Sequence, residues 1–294
     1  MTDPSSASGE FDPRYVEARR VLLDALFALA PHGPAIIIAG AQAVYLRTGA
    51  SDMSVAPYTT DGDLALNPSL LGDDPPLEQA MEQAGFTLMM TQPGGHIEPG
   101  IWVAPVEIDG WPYLVPVDLI VPRGVADSGS RRGARLRAHG ERAARQIPGL
   151  EAVLVDHSPI LGTSLDPADD RSIEAEVAGV AALLVAKAHK LHDRLEEGKP
   201  HRVGDKDAAD VVRIMQTTSP AQVGQTLAGL VGDATAGQPT TDGLRYLDQL
   251  FGRRGRPGIE MAVRALRVAM DPNTIEVICT AYIDGIRAAI NGPG

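Results

Sequence analysis

The run "AIIIAG" (35–40), followed at once by "AQAVYLRTGA" (41–50), decides how this chain folds. The short apolar, β-branched stretch reads as a buried strand that ends in glycine. The ten residues after it read as a helix that begins with no intervening loop. Gly40 lets the backbone turn tightly between the two. A helix start of this kind presents free N–H groups and the positive end of its dipole, a setting that suits a phosphate. Downstream, "TTDGDLAL" (59–66) continues as a second strand over 63–66, led by Asp61 and Asp63 on either side of Gly62. Alternate residues of a strand share a face, so the two carboxylates can point the same way. If both converge on one point, their repulsion calls for a cation, most naturally Mg²⁺, which prefers hard oxygen ligands.

Working outward, "PRYVEARRVLLDALFALA" (13–30) has helical apolar spacing and precedes the first strand. A short amphipathic helix is expected at 75–86. Two strands, "IWVAPVEI" (101–108) and "PYLVPVDLIV" (112–121), are joined through Asp109-Gly110, a hairpin signal. Asp118 interrupts the second of these. An ionised side chain in a buried strand needs a partner, and a metal shared with Asp61 and Asp63 would supply one. "AVLVD" (152–156) reads as one further strand, and "QPGGHIEPG" (92–100) as a loop. From about residue 165 the character changes. "RSIEAEVAGVAALLVAKAHKLHDRLEEG" (171–198) reads as one long helix, followed by helices near 205–216, 219–231, 239–252, 258–270 and 273–291. The expected class is therefore α+β and bilobed: an α/β domain with a mixed sheet over 1–165, and a helical domain over 166–294 that closes a cleft against it. Residues 1–10 are expected to be disordered.

Composition bounds the function. The chain has 294 residues, 44% of them hydrophobic and 22% charged, as in a water-soluble globular protein. No run reaches the roughly 18 apolar residues of a membrane helix, and no secretory signal is visible. Cys279, the one cysteine, excludes an internal disulfide and a thiolate zinc site, and fits a reducing cytoplasm. A net charge of −12 argues against a general nucleic-acid binder. The charge is uneven, however: "RRGARLRAHGERAAR" (131–145) holds six arginines against one glutamate. That segment is either an exposed loop or helix that is basic by chance, or a docking surface for an RNA backbone through Arg131, Arg132, Arg135 and Arg137.

In the helical half, Val177, Val180, Leu184, Leu191 and Leu195 form an apolar stripe, and Lys187 flanks it. A lysine there needs an anion, either a carboxylate or a phosphate, unless its stem packs while its amine reaches water. In "DKDAADVVRIM" (205–215) Asp207 lies toward the inner face and Asp210 borders it. Asp207 could equally be a first-turn acid that compensates the helix dipole. The seven histidines show no metal spacing beyond His189 and His192 on a polar helix face.

Strand–Gly–helix followed by "DGD" and a third strand carboxylate resembles the nucleotidyltransferase (polymerase-β-like) superfamily. The resemblance narrows to the AbiEii/MenT group of nucleotidyltransferase toxins from bacterial toxin–antitoxin and phage-abortive systems. Gly40, Ala43, Thr59, Asp61 and Asp63 match its "G-x-A…[S/T]-x-D-x-D" motif. Leu183, Leu184, Lys187, Asp193 and Arg194, then Lys206, Asp207 and Asp210, match the two helical motifs. The resemblance implies a Mg²⁺-dependent transfer of NMP from an NTP to an RNA acceptor, above all the 3′ end of tRNA, with a cognate antitoxin as a further partner. It implies metal carboxylates at Asp61, Asp63 and Asp118. Nucleotide contacts would come from Gly40, Thr59, Lys187, Lys190 and Asp210, with Asp207 or Asp210 toward the base or acceptor. Asp118 and Asp207 both stand open as the proton acceptor. Modification of a protein hydroxyl, or nucleotide binding without turnover, are the alternatives.

Overall fold

A mixed sheet forms the N-terminal part, and α-helices follow it. The structure is a computed structural model and describes residues 11–49, 59–91, 95–126, 133–196 and 205–292. The segment expected to be disordered, together with Arg131 and Arg132, lies outside these residues. The strands are β1 (Ile36–Ala39), β2 (Gly62–Leu66), β3 (Thr87–Met90), β4 (Ile97–Ile108), β5 (Trp111–Pro122), β6 (Gly133–Leu136), β7 (Gly140–Ile147), β8 (His157–Thr163) and β9 (Ser172–Ala178). They run in the order β3-β4-β5-β2-β1-β9-β8, with β7 added beside β5 and β6 beside β7. β1/β9, β2/β5 and β5/β7 are parallel pairs, and the others are antiparallel.

β1 is buried along its whole length, as its isoleucines require. Helix α1 (Pro13–Ala28) starts with Pro13 after Asp12, whose carboxylate accepts from the Arg14 N–H at 2.8 Å. It packs on β2, β4, β5 and β9. Gly62 leaves room for Leu22 of this helix, since a Cβ there would lie 3.2 Å from Leu22 Cδ1. Gly62 thus faces α1, and by alternation Asp63 faces the other side of the sheet. On β4–β5 the turn is made by Asp109 (φ 53°) and Gly110 (φ 79°), both left-handed as a two-residue hairpin demands.

Helix α2 (Gly40–Thr48) carries the chain away from β1, α3 (Leu77–Gln83) precedes β3, and the rest of the chain is α4 (Val180–Glu196), α5 (Asp205–Thr217), α6 (Pro220–Val231), α7 (Gly237–Phe251), α8 (Pro257–Leu266) and α9 (Pro272–Asn291). One apolar core runs through both parts, from Ile37 and Leu64 of the sheet to Leu184, Val211, Leu247 and Ile283. Arg213 of α5 fastens the two together at the end of α2. It donates to Thr48 Oγ1 (2.8 Å) and Gly49 O (2.6 Å) and lies over the Tyr45 ring.

Four expectations are corrected. The stretch 92–100, read as a loop, ends in strand, because residues 97–100 open β4. Residues 172–178 are strand β9, and the long helix begins only at Val180, so the sheet extends past the boundary expected at 165. Residues 151–154 form a turn of 3₁₀ helix in place of a strand. The arginine-rich stretch is neither loop nor helix where described: it folds as the β6–β7 hairpin. Among the described residues no helix is long and apolar enough to cross a membrane.

Candidate active site

The end of β1, the start of β2 and the middle of β5 lie side by side. Ala39 pairs with Asp63, and Asp63 pairs with Asp118. Neighbouring strands are about 4.8 Å apart, so Gly40, Asp63 and Asp118 form a row across one edge of the sheet. Gly40 has φ +61°, and a Cβ on it would sit 1.8 Å from Asp63 Oδ2. Glycine is therefore required twice, for the left-handed turn and for the carboxylate lying against it. No side chain caps this end of α2. Gly40→Ala is expected to lower stability by about 2 kcal/mol or more in urea unfolding, combining left-handed strain with the clash. A loss below about 0.5 kcal/mol would deny this packing.

Asp61 leads into β2 and accepts a hydrogen bond from Thr59 Oγ1. Thr59 is fully buried, and its hydroxyl orients Asp61 from behind. Burial, and after it the charge of Asp61, raise the Asp63 carboxyl above its ordinary range. Burial and the charge of Asp63 push Asp118 up to about 7, against the pull of Arg145. Arg145, on β7, donates through Nη2 to Asp118 Oδ2. Like-charged carboxylates crowded at one point with raised affinity for protons are also disposed to take up a cation.

A second cluster comes from the helices. Lys187, Lys190 and Arg194 follow one another at spacings of three and four along one face of α4. They meet Asp207 and Asp210, three apart on α5. Lys187 Nζ donates to Asp207 Oδ1 and Asp210 Oδ2, both at 2.6 Å. Arg194 adds a bond to Asp207 Oδ2 at 2.5 Å, and Lys190 Nζ stands 3.1 Å from Asp207 Oδ1. Burial disfavours the Lys187 charge, but Asp207 and Asp210 outweigh it and hold the ammonium above the usual lysine range. Burial likewise works against the Asp207 carboxylate, yet Lys187, Lys190 and Arg194 hold it well below the usual carboxylate range. The anion that Lys187 requires is thus a pair of carboxylates. Its cluster stands close enough to the strand carboxylates for Lys190 and Lys187 to act on Asp63.

Lys206, in the first turn of α5, is half-buried and feels the charge of Asp61 and Asp210. Burial lowers its pKa. The site therefore gathers Gly40, Thr59, Asp61, Asp63, Asp118, Lys187, Lys190, Asp207 and Asp210 as expected, and adds Arg145 and Lys206. Arg145 belongs to the arginine run, but only the pairing of β7 with β5 brings it to Asp118. Arg135 and Arg137 are exposed on the β6–β7 hairpin. His189 and His192 do other work, on Pro239 O (2.8 Å) and stacked on Tyr246. Among the described residues no three acidic or imidazole groups are grouped so as to enclose a metal by themselves. The donors present, Asp61 and Asp63 with Asp118 beside them, still suit Mg²⁺, which commonly takes one or two carboxylates and completes its shell from water and substrate phosphate. The chain matches no protein-family model, no curated protein and no solved structure.

Proposed function

We propose that this protein is a cytoplasmic toxin of a toxin–antitoxin system, a Mg²⁺-dependent nucleotidyltransferase that moves NMP from an NTP to an RNA acceptor, the 3′ end of tRNA. One observation carries the reading: an uncapped helix start at Gly40 lies against the carboxylate of Asp63, which is in register with Asp118. A free helix start suits a phosphate and paired carboxylates suit a divalent ion, the two requirements of phosphoryl-group chemistry, and their adjacency supports the reading. The resemblance to the AbiEii/MenT group adds the acceptor class. Asp61 and Asp63 would hold Mg²⁺, with Asp118 completing the set. The ion, when bound, neutralises charge on the reacting and leaving phosphates.

The residues of the chain do the rest. The N–H groups that open α2 receive the triphosphate, and Lys190 and Lys206 add positive charge at its rim. The acceptor hydroxyl attacks the α-phosphorus in line, the bond to the β-phosphate oxygen breaks, and pyrophosphate leaves without a covalent enzyme intermediate. Of the two acceptors for the hydroxyl proton, Asp207 is held ionised by three cations and is a poor base. That leaves Asp118, which stands beside Asp63 across the strand pair, as the acceptor.

The test offers purified protein each α-labelled NTP, Mg²⁺, and either unfractionated tRNA or protein extract. Label at the 3′ end of tRNA is expected. Label confined to protein supports modification of a protein hydroxyl, and no label in either supports a binding module without turnover. Each of these overturns the reading.

A pH dependence follows. Asp118 has a folded pKa above the unfolded value of about 3.9, so ionising it costs stability as pH rises from about 4 through 7. A bound cation reverses that cost. The rise in thermal midpoint caused by Mg²⁺ is expected to be larger near pH 8 than near pH 5.5. Asp118→Asn should flatten this difference; an undiminished difference would remove Asp118 from the metal site.

A further inference from the structure

Arg145 approaches Asp118 from the side away from Asp63. At the register of Asp118 the neighbour there is Ile101 of β4, but just beyond it β7 runs parallel to β5 with Arg145 opposite Ile120. Two residues on from Asp118 it shares that face of β5, and its guanidinium reaches back to the Asp118 carboxylate, so the side chains follow in the order Gly40, Asp63, Asp118, Arg145. The backbone beneath Arg145 is tightly fixed. Gly100 of β4, at φ +72°, allows β7 to cross so closely that a Cβ there would lie 2.3 Å from the Arg145 nitrogen. Trp102 Nε1 donates to Ala143 O at 2.9 Å from the same strand.

The guanidinium of Arg145 carries five N–H donors. Among the described residues it has one hydrogen-bond partner, Asp118, and its Nε is buried with no partner at all. A buried N–H without an acceptor is costly, and here it stands next to the carboxylates at which transfer is proposed. Its side chain is 30% exposed, so a ligand can reach the guanidinium from solvent. A ligand would meet the exposed terminal nitrogens and not the buried Nε, and a guanidinium fork pairs best with phosphate or carboxylate.

Position decides which anion it is. In-line displacement places the attacking hydroxyl and the leaving pyrophosphate on opposite sides of the α-phosphorus. The triphosphate lies toward Gly40 at one end of the row, so Arg145, at the other end, lies on the side of the acceptor. We propose that Arg145 binds a backbone phosphate of the RNA acceptor, next to the nucleotide whose hydroxyl attacks. Beyond it the β6–β7 hairpin exposes Arg135, Arg137 and Arg142, with Glu141 among them, and this basic edge carries the strand away from the site. The inference rests on the reading of the protein as a nucleotidyltransferase with an RNA acceptor, and it assigns Arg145 to the acceptor in place of the nucleotide.

The experiment compares wild type with Arg145→Gln and Arg145→Lys, after circular dichroism has shown that all three are folded. Binding of fluorescently labelled tRNA is followed by anisotropy at several salt concentrations. Apparent KM values for tRNA and NTP are measured in the transfer assay. Arg145→Gln is expected to weaken tRNA binding and raise the tRNA KM about 10- to 100-fold, as for loss of a charge-assisted fork. The NTP KM should stay unchanged. The slope of log affinity against log salt should fall by about 0.7 to 0.9, the share of one phosphate contact. Arg145→Lys should recover the slope but not the full affinity. The proposal is overturned if the NTP KM rises instead. It is also overturned if tRNA binding and its salt slope are those of wild type while only the pH profile of transfer moves, which would mean that Arg145 serves Asp118 alone. Failure of the parent reading looks different: wild type then labels no RNA, whereas the anisotropy still reports whether Arg145 touches a phosphate.

Discussion

Asp63→Asn is expected to reduce nucleotidyl transfer by at least about 10³-fold, the size of a several-kcal/mol loss of metal-assisted charge stabilisation. In the same protein, stability in the presence of a chelator should be unchanged or higher. The two effects have opposite signs for one physical reason. Burial and the neighbouring Asp61 both disfavour a charge at Asp63, so the folded protein without a divalent ion gains when that charge is removed. Asparagine keeps the shape that packs against Gly40 and loses only the charge. Stabilisation by added Mg²⁺, seen as a rise in thermal midpoint, should also disappear in the variant. A carboxylate kept for structure would behave in the reverse way. If Asp63→Asn unfolds about 2 kcal/mol more easily while transfer persists, Asp63 is a structural residue and the metal site is elsewhere.

Much of the front of the molecule was legible because local rules and tertiary needs agree there. The isoleucines of 36–38 have to be buried, Gly40 has to turn, and Asp109-Gly110 has to reverse the chain; each is a short-range demand. Strand β9 shows where such reading stops. Ile173, Ala175 and Val177 alternate with Glu174 and Glu176, a period of two, but these residues run without a Pro or a polar cap into a true helix. The break falls at Gly179, and the helix start is capped from a distance. Asp156 accepts from the Ala182 N–H at 2.9 Å, and a Cβ on Gly179 would lie 2.0 Å from Asp156 Oδ1. A cap borrowed from far upstream leaves no mark in the local sequence. The β6–β7 hairpin is similar: its arginines hide a strand that exists because an edge of β5 is free to pair. In the site itself the carboxylates stood out by their spacing. The partners of Lys187, Thr59 and Asp118 did not, because a polar side chain announces that it needs a counter-group without saying which one.

Lys187 gives the sharpest separation between those choices. Lys187 is 4% exposed, and its ammonium is bonded at 2.6 Å to both Asp207 and Asp210. Lys187→Met leaves Asp207 with Lys190 and Arg194, but leaves Asp210 as a buried carboxylate without its hydrogen-bonded cation. Removing one member of a buried ion pair costs about 3–5 kcal/mol, most of it the penalty of the abandoned charge. That loss is expected in urea unfolding near neutral pH. Adding Asp210→Asn should restore at least half of it, since the stranded charge is then gone. The acid side carries its own signature. Asp207 has a folded pKa below its unfolded value, so it contributes stability above about pH 4 and that contribution is lost as pH falls further. Double substitution of Lys187 and Asp210 leaves this acid sensitivity in place, because Lys190 and Arg194 still hold Asp207. A lysine whose work is to grip a triphosphate predicts something else: a raised NTP KM, a loss of stability below about 1 kcal/mol, and no rescue by Asp210→Asn. The cluster joins α4 to α5 beside Asp63, so transfer should fall with Lys187→Met in either case. Only the stability and its rescue tell a brace of the cleft from a hand on the nucleotide, and the two short bonds to carboxylates favour the brace.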